Sequence, residues 1–269
     1  MSSSPAFTTL ISTAQLERIL DQACVLDCRA SLADPLFGER AFAEGHISGA
    51  QRADLDADLA SSPGSGGRHP LPDAADLSDC LRRKGLNEDA QLIVYDDAGG
   101  AFAARAWWLA RWLGHENAAV LDGGISAWRG PLEKIRQTPN PGTFRRREAL
   151  TRIVRVDELT APHPYQLIDA RAENRFHGID EPIDPVAGHI PGAICRPFQQ
   201  NLDTGGHFLP PAALRQRFSE FERPVCYCGS GVTAAHNVLA MRHAGLPESA
   251  LYPGSWSEWI LDPTRPVAT

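Results

Sequence analysis

The chain lacks several features that would settle its class at once. None of its apolar runs is long enough to span a bilayer. The opening, MSSSPAFTTLISTAQLERIL, has no basic flank leading into a continuous apolar stretch, so no secretory signal is expected there. Positive charge is not in excess. The 26 Lys and Arg against 33 Asp and Glu leave a net charge of −7, which argues against nucleic acid or an anionic membrane as the main partner. Six cysteines in 269 residues form no dense framework and fit a reducing compartment better than a secreted scaffold. The expectation is a soluble, cytoplasmic protein. Apolar content is ample: 43% hydrophobic residues suffice for one large or two medium domains.

The chain repeats itself. Its first half holds VLDCR (25–29), AEGHISGAQRAD (43–54), LIVYDDAGG (92–100) and LDGGISAW (121–128). Its second half holds, in the same order, LIDAR (167–171), VAGHIPGAICRP (186–197), PVCYCGSG (224–231) and YPGSWSEW (252–259). Asp27 precedes His46 by 19 residues and Asp169 precedes His189 by 20; Asp96 precedes Trp128 by 32 and Cys228 precedes Trp259 by 31. Four landmarks in register identify a tandem of two similar domains. Short apolar strands alternate with helical segments in each half, so the fold class is α/β, each domain a mainly parallel sheet with helices on both faces. Gln91–Tyr95 and Pro224–Tyr227 are expected as central strands. Helices are expected over 103–113 and 234–244, stopped by Gly114 and Gly245. The expected boundaries are 1–136 and 151–269, with QTPNPGTFRRREAL (137–150) as linker and Arg145–Arg147 solvated on it. A long polar stretch, 56–74, interrupts the first domain as an irregular loop of the kind that often carries function.

One turn stands out. In CGSGVTA (228–234) a thiol sits between a strand and a helix, where Gly229 and Gly231 let the backbone curl and its N–H groups point inward. The start of the following helix adds its positive end, so an anion on Cys228 would be stabilised there. The matching residue of the first half is Asp96, so only one half carries a reactive thiol. A cysteine phosphatase needs an arginine six residues after its cysteine; that position is Ala234. A Walker loop needs a lysine after the glycines, and none follows. No metal site is expected; a CxC pairing of Cys226 with Cys228 is a minor alternative, strained at that spacing.

CGSGVTA, the two GHIxGA copies, the LDGG near Trp128 and the tandem repeat together resemble the two-domain rhodanese-like sulfurtransferases, and within them the 3-mercaptopyruvate sulfurtransferases. The resemblance covers nearly the whole chain. It implies two rhodanese-like α/β domains with the active site in the cleft between them, the second catalytic and the first not. It also implies that Cys228 becomes a persulfide and hands its sulfur to a thiol, such as that of thioredoxin, or to cyanide, without a cofactor. Ser230, two places after the cysteine, matches the serine that joins a His and an Asp of the first domain in a proton relay; those residues appear as His69 and Asp54. Loop residues Gly229, Gly231, Val232 and Thr233 are implied in substrate binding, and Arg175 in holding the donor's carboxylate. The family's second arginine would follow the Glu-Pro pair, where this chain has Ile183 and Asp184 instead. Arg52 and Arg196 are the candidates to replace it. A thiosulfate sulfurtransferase and a non-catalytic persulfide carrier remain alternatives. Thiosulfate enzymes of the family carry a lysine at the place of Ser230, which favours the mercaptopyruvate reading.

Cys24, Cys28 and Cys80 are expected to be buried structural thiols, Cys195 to pack as its repeat partner does, and Trp107 and Trp108 to lie in the core and at the domain interface. His69 is expected to be partly exposed on its loop.

Overall fold

A computed structural model describes residues 6–269. The chain divides into two compact units, one made of the described part of Met1–Leu59 with Pro72–Leu150, the other of Ala60–Leu71 with Thr151–Thr269.

In the first unit five parallel strands lie in the order Leu10–Ile11, Ala118–Leu121, Gln91–Tyr95, Ala23–Asp27, Gln51–Arg52. Val25, Ile93, Tyr95, Ala119 and Leu121 pack on one face with Leu16 of the helix Thr13–Ile19 and with Trp128. Residues of the alternate set, Leu26, Leu92, Val94 and Val120, are buried too, and the helix Ala103–Trp112 packs against these central strands. Runs buried on both faces are what a covered parallel sheet requires. Each such aliphatic side chain contributes about 1.5–3 kcal/mol on burial.

The second unit repeats the plan. Its parallel strands run Ala250–Leu251, Pro224–Tyr227, Gln166–Asp169, Ile194–Cys195. Ile153 bridges Leu251 in parallel, where Leu10–Ile11 stands in the first sheet. His46–Ile47 pairs antiparallel with Leu132–Glu133, and His189 likewise with Ala268. The two expected central strands fall on the expected residues. Both expected helices end one residue early, at Trp112 and His243, because Leu113 and Ala244 serve as caps before the left-handed Gly114 and Gly245.

The repeat extends to its polar core. Arg29 grips Asp27 and donates to the Gly45 carbonyl at 2.7 Å; Arg171 grips Asp169 and donates to the Gly188 carbonyl at 2.7 Å. The hydroxyls of Tyr95 and Tyr227 accept the N–H of Ile47 and Ile190, at 3.1 and 3.2 Å. His46 and His189 each stack on a phenylalanine, Phe42 and Phe176, and place Nδ1 2.8 Å from that residue's carbonyl. Removing one member of either buried Asp–Arg pair would strand a charge, at about 3–5 kcal/mol. The VLDCR and LIDAR copies are therefore structural signatures.

Segments read as irregular are firmly held. In 137–150, Phe144 is buried, its N–H bonds Leu86 O at 3.1 Å, and Arg147 N–H bonds Leu113 O at 2.8 Å. Arg145, Arg146 and Arg147 are exposed. The 56–74 stretch is shared between the units: its residues up to Leu59 stay in the first, Ala60–Leu71 belong to the second, and Asp73 caps the helix Ala74–Arg83 back in the first. Trp107 and Trp108 are fully buried. All six cysteines are free; Cys28 and Cys80 are buried as expected, whereas Cys24, near the start of its strand, and Cys195, on the edge strand Ile194–Cys195, are partly exposed. No helix among the described residues is long and apolar enough to cross a membrane.

Candidate active site

Cys228 follows the last residue of the strand Pro224–Tyr227 and is buried. Its N–H donates to Ser255 Oγ at 3.0 Å, and its carbonyl accepts Trp256 N–H at 3.0 Å. Ser255 is the one described non-glycine residue at positive φ, +55°. The repeat explains why: its counterpart is Gly124, φ +57°, where a side chain would collide with the Asp96 carbonyl. A serine held in the left-handed region costs about 1–2 kcal/mol, and here its hydroxyl both accepts from Cys228 and donates to Tyr252 O at 2.9 Å. Such strain persists only where the surrounding structure holds it, and here it stands beside Cys228. Sequence reading missed Ser255; the signal was a serine standing where the repeat has glycine.

The turn itself corrects one expectation. Gly231 is left-handed, φ +76°, and a Cβ there would strike the Pro253 carbonyl, so glycine is required. Gly229 is not at positive φ. It is needed for room: a Cβ built on it would lie 3.1 Å from Arg68 Nη2, 3.5 Å from Arg175 Nη2 and 3.6 Å from Arg175 Nη1. Val232 is buried, Thr233 partly so, and Thr233 opens the helix Ala234–His243 without a side-chain cap.

His69 and Ser230, 161 residues apart, meet within the second unit with Nδ1 2.7 Å from Oγ. Both are buried. His69 is not the half-exposed loop residue expected from sequence, because its segment folds inward: Gly64 and Gly67 exchange backbone bonds, and Arg68 N–H donates to Ser257 Oγ at 3.0 Å. Asp54 lies in the first unit, half-buried. Its carboxylate binds Arg52 and accepts the N–H of Asp56 and Ala57 at 2.9 and 2.8 Å, which hold it below its ordinary carboxyl range despite partial burial.

The cations are arranged differently from expectation. Arg52 pairs with Asp54 and Glu39 in the first unit; Arg196 pairs with Glu220 and its guanidinium lies over Phe221. Neither is the second arginine at the Cys228 turn. Arg68 is. Asp184 Oδ1 takes Arg68 Nη1 at 2.5 Å and Asp184 Oδ2 takes Arg175 Nη2 at 2.9 Å, while Glu181 holds Arg175 Nε at 3.0 Å. Ile183, the other departure from the family pattern, is exposed. Arg68 was invisible to motif reading because it sits far away in sequence, next to a histidine chosen for another reason.

The remaining thiols are poor nucleophiles. Burial pushes Cys24, Cys80, Cys195 and Cys226 up to about 12, and burial with the neighbouring Asp27 and Asp96 charges raises Cys28 well above its ordinary value. Cys226 forms no disulfide, and its sulfur accepts from Ser249 Oγ at 3.3 Å.

Known proteins align with this chain over most of its length. A family model described as "Rhodanese-like domain" matches residues 12–131 and 155–262. A Pseudomonas aeruginosa protein named "Probable 3-mercaptopyruvate sulfurtransferase" is 49% identical, covering 97% of this chain and 98% of its own. A Mycobacterium tuberculosis protein named "Putative thiosulfate sulfurtransferase" is 40% identical, covering 96% of each chain. The solved structure of 3-mercaptopyruvate sulfurtransferase from Leishmania major superposes with a TM-score of 0.85 at 31% identity, over 94% of this chain and 74% of that one.

Proposed function

Because the chain belongs to the rhodanese-like domain family and carries that domain twice, we propose that it is a sulfurtransferase that takes sulfur from 3-mercaptopyruvate through a persulfide on Cys228. The Cys228 thiolate attacks the donor's sulfur, and an S–S bond forms as the donor's C–S bond breaks. The electron pair of that bond passes to the carbon as an enolate, which takes up a proton and leaves as pyruvate. An acceptor thiolate, of a small thiol or of thioredoxin, or else cyanide, then attacks the outer sulfur and releases the Cys228 thiolate. Both halves need a proton to move, and Ser230 with His69 supplies the route. The turn's backbone, with Gly231, Val232 and Thr233 leading into a helix, favours the sulfur anion without any metal or cofactor. Free thiols throughout suit a reducing, cytoplasmic setting.

The His69–Ser230 contact of 2.7 Å carries the choice of donor. Thiosulfate is a dianion whose sulfur transfer expels sulfite without forming an enolate, so it has less use for a proton relay and more for a cation at residue 230. The test is the rate with each donor at saturation. Wild type is expected to turn over 3-mercaptopyruvate faster, and Ser230→Lys to move the ratio at least about tenfold toward thiosulfate. A wild type faster on thiosulfate would replace this reading with the thiosulfate one. A protein that loads sulfur but releases it to no small acceptor would be a carrier.

A further inference from the structure

The hydrogen bonds around the Cys228 turn close into a ring that runs through a residue with no part in the proposed chemistry. Ser257 N–H donates to the Gly229 carbonyl at 2.8 Å. The Ser257 hydroxyl accepts the N–H of Arg68 at 3.0 Å and donates to the Gly254 carbonyl at 3.2 Å. Arg68 leads by one peptide to His69, whose Nδ1 lies 2.7 Å from Ser230 Oγ, and Ser230 follows Gly229 directly. From this closed path, and resting on the sulfurtransferase reading above, we infer that Ser257 is a positioning residue. It registers the segment Ala60–Leu71 on the turn and so sets the contact between the imidazole and the hydroxyl that pass the proton.

The segment's own bonds fix its shape and leave its place to be set. Ser61 N–H donates to the Pro70 carbonyl at 3.0 Å, and Gly64 and Gly67 exchange bonds at 3.0 Å. Its place comes from the seat on residues 254–258. Gly67 is left-handed, φ +92°, and a Cβ there would lie 2.6 Å from Ser257 Oγ, 2.9 Å from Gly254 O and 3.1 Å from Glu258 N, so only glycine lets the backbone settle that closely. Arg68 also reaches Asp184, but through a long side chain that tolerates small shifts of the backbone behind it. The Ser257 bond holds the backbone itself, one residue before the imidazole. That precision matters, because a proton passes across a hydrogen bond of about 2.6–3.2 Å, and a displacement of about 1 Å can cost about a hundredfold in rate. The first unit supplies the control. Its matching residue, Ser126, is also a serine, yet it is exposed, whereas Ser257 is buried under the segment that carries His69.

The test uses the intact protein and two readouts. Hydrogen exchange followed by mass spectrometry reports the seating of the segment whether or not sulfur moves. In Ser257→Ala the amides of 60–71 are expected to exchange at least about tenfold faster, with the strand Pro224–Tyr227 unchanged. Steady-state rates with 3-mercaptopyruvate and a small thiol report the proton route. Ser257→Ala should lower kcat about tenfold. In a Ser230→Ala background, where the route is already cut, the same substitution should cost less than about twofold. A merely structural role would cost the same factor in both backgrounds. The inference is overturned if the amides of 60–71 exchange no faster, if kcat holds, or if the two losses multiply in the double variant. Absence of a persulfide on Cys228 in donor-treated wild type, read by intact mass, would instead sink the sulfurtransferase reading, with hydrogen exchange still deciding whether Ser257 registers the segment. Should Ser257→Ala fail to fold, Gly67→Ala disturbs the same contact from the other side, and the same two measurements decide.

Discussion

The strand-to-helix turns at Asp96 and Cys228 occupy the same place in two copies of one frame and do opposite things with it. In the first unit the Asp96 carboxylate gathers four backbone N–H groups: Ala98 at 2.9 Å, Gly100 at 2.8 Å, Phe102 at 2.8 Å and Ala103 at 2.9 Å. The turn is an anion site, and a built-in anion fills it. In the second unit a cysteine stands at that place, on a turn one residue shorter before its helix, with Ser255, Ser230 and two arginines around it. The frame holds an anion in the first copy, and on the sulfurtransferase reading it does so in the second. One copy uses that property to hold itself together, and the other has it available for a sulfur anion that comes and goes. Two copies of one architecture can therefore carry a structural centre and a candidate reactive group at the same place.

That contrast predicts crossed losses. Cys228→Ser should lower sulfur transfer at least about a thousandfold while changing stability by less than about 1 kcal/mol. Asp96→Asn should do the reverse. It removes the charge and turns an amide NH2 toward backbone N–H groups, costing at least about 2 kcal/mol in urea unfolding, yet below the transition most of the turnover remains. Intact mass after donor treatment should show one added sulfur in Asp96→Asn and none in Cys228→Ser. Sulfur loaded onto Cys228→Ser, or an Asp96→Asn as stable as wild type, breaks the comparison.

The fold was legible because the repeat is written in residues with obligatory partners. Asp27 and Asp169 each need the arginine two places on, and His46 and His189 each need a stacked phenylalanine, so spacing alone exposed the tandem. The strands Gln91–Tyr95 and Pro224–Tyr227 were legible because burial on both faces leaves no polar alternation. The site was only partly legible. Cys228, Ser230 and Arg175 sit on motifs, and resemblance supplied His69. Arg68 and the burial of His69 depend on where a polar loop folds, and local pattern does not encode that. Gly229 was read as a conformational glycine, although it is a spatial one, and sequence cannot separate the two roles.

The next test concerns the residue that differs between the turns at positive φ. Ser255→Ala keeps the strained Cβ and loses the hydroxyl; Ser255→Gly loses both and recreates what Gly124 is. Glycine should therefore be the more stable of the two by about 1 kcal/mol. Both variants deprive Cys228 N–H of its acceptor, so both should lower kcat, by about three- to tenfold, with little change in KM. If Ser255→Gly matched wild type in kcat, the hydroxyl would be an ornament of the turn and not a positioning group for Cys228.

The smallest effect concerns the residues just after the two key positions, Asp97 and Gly229. In the first unit burial and the neighbouring Asp96 charge hold the Asp97 carboxyl above its ordinary value. A group whose folded pKa lies above its unfolded one contributes its favourable difference below the unfolded value, near 3.8, and loses it as pH rises through the folded value. At neutral pH Asp97 is therefore a mild burden on the first unit, an ionised group beside another of the same sign. Asp97→Asn removes the burden. Asp97 is only partly withdrawn from water and the residue as a whole is exposed, so solvent screens the repulsion, and the gain should be no more than about 0.5 kcal/mol at pH 7, vanishing below about pH 3.5. Urea unfolding at both pH values measures it, and raised salt should shrink the gain at pH 7. The second unit has Gly229 at this place, where a carboxylate would sit against Arg68 and Arg175 and take up their nitrogens. Gly229→Asp should accordingly cost activity far more than Asp97→Asn gains stability. An Asp97→Asn that destabilises at pH 7 would mean that the carboxylate is used by the first turn, and that the two turns differ at one position fewer than their charges imply.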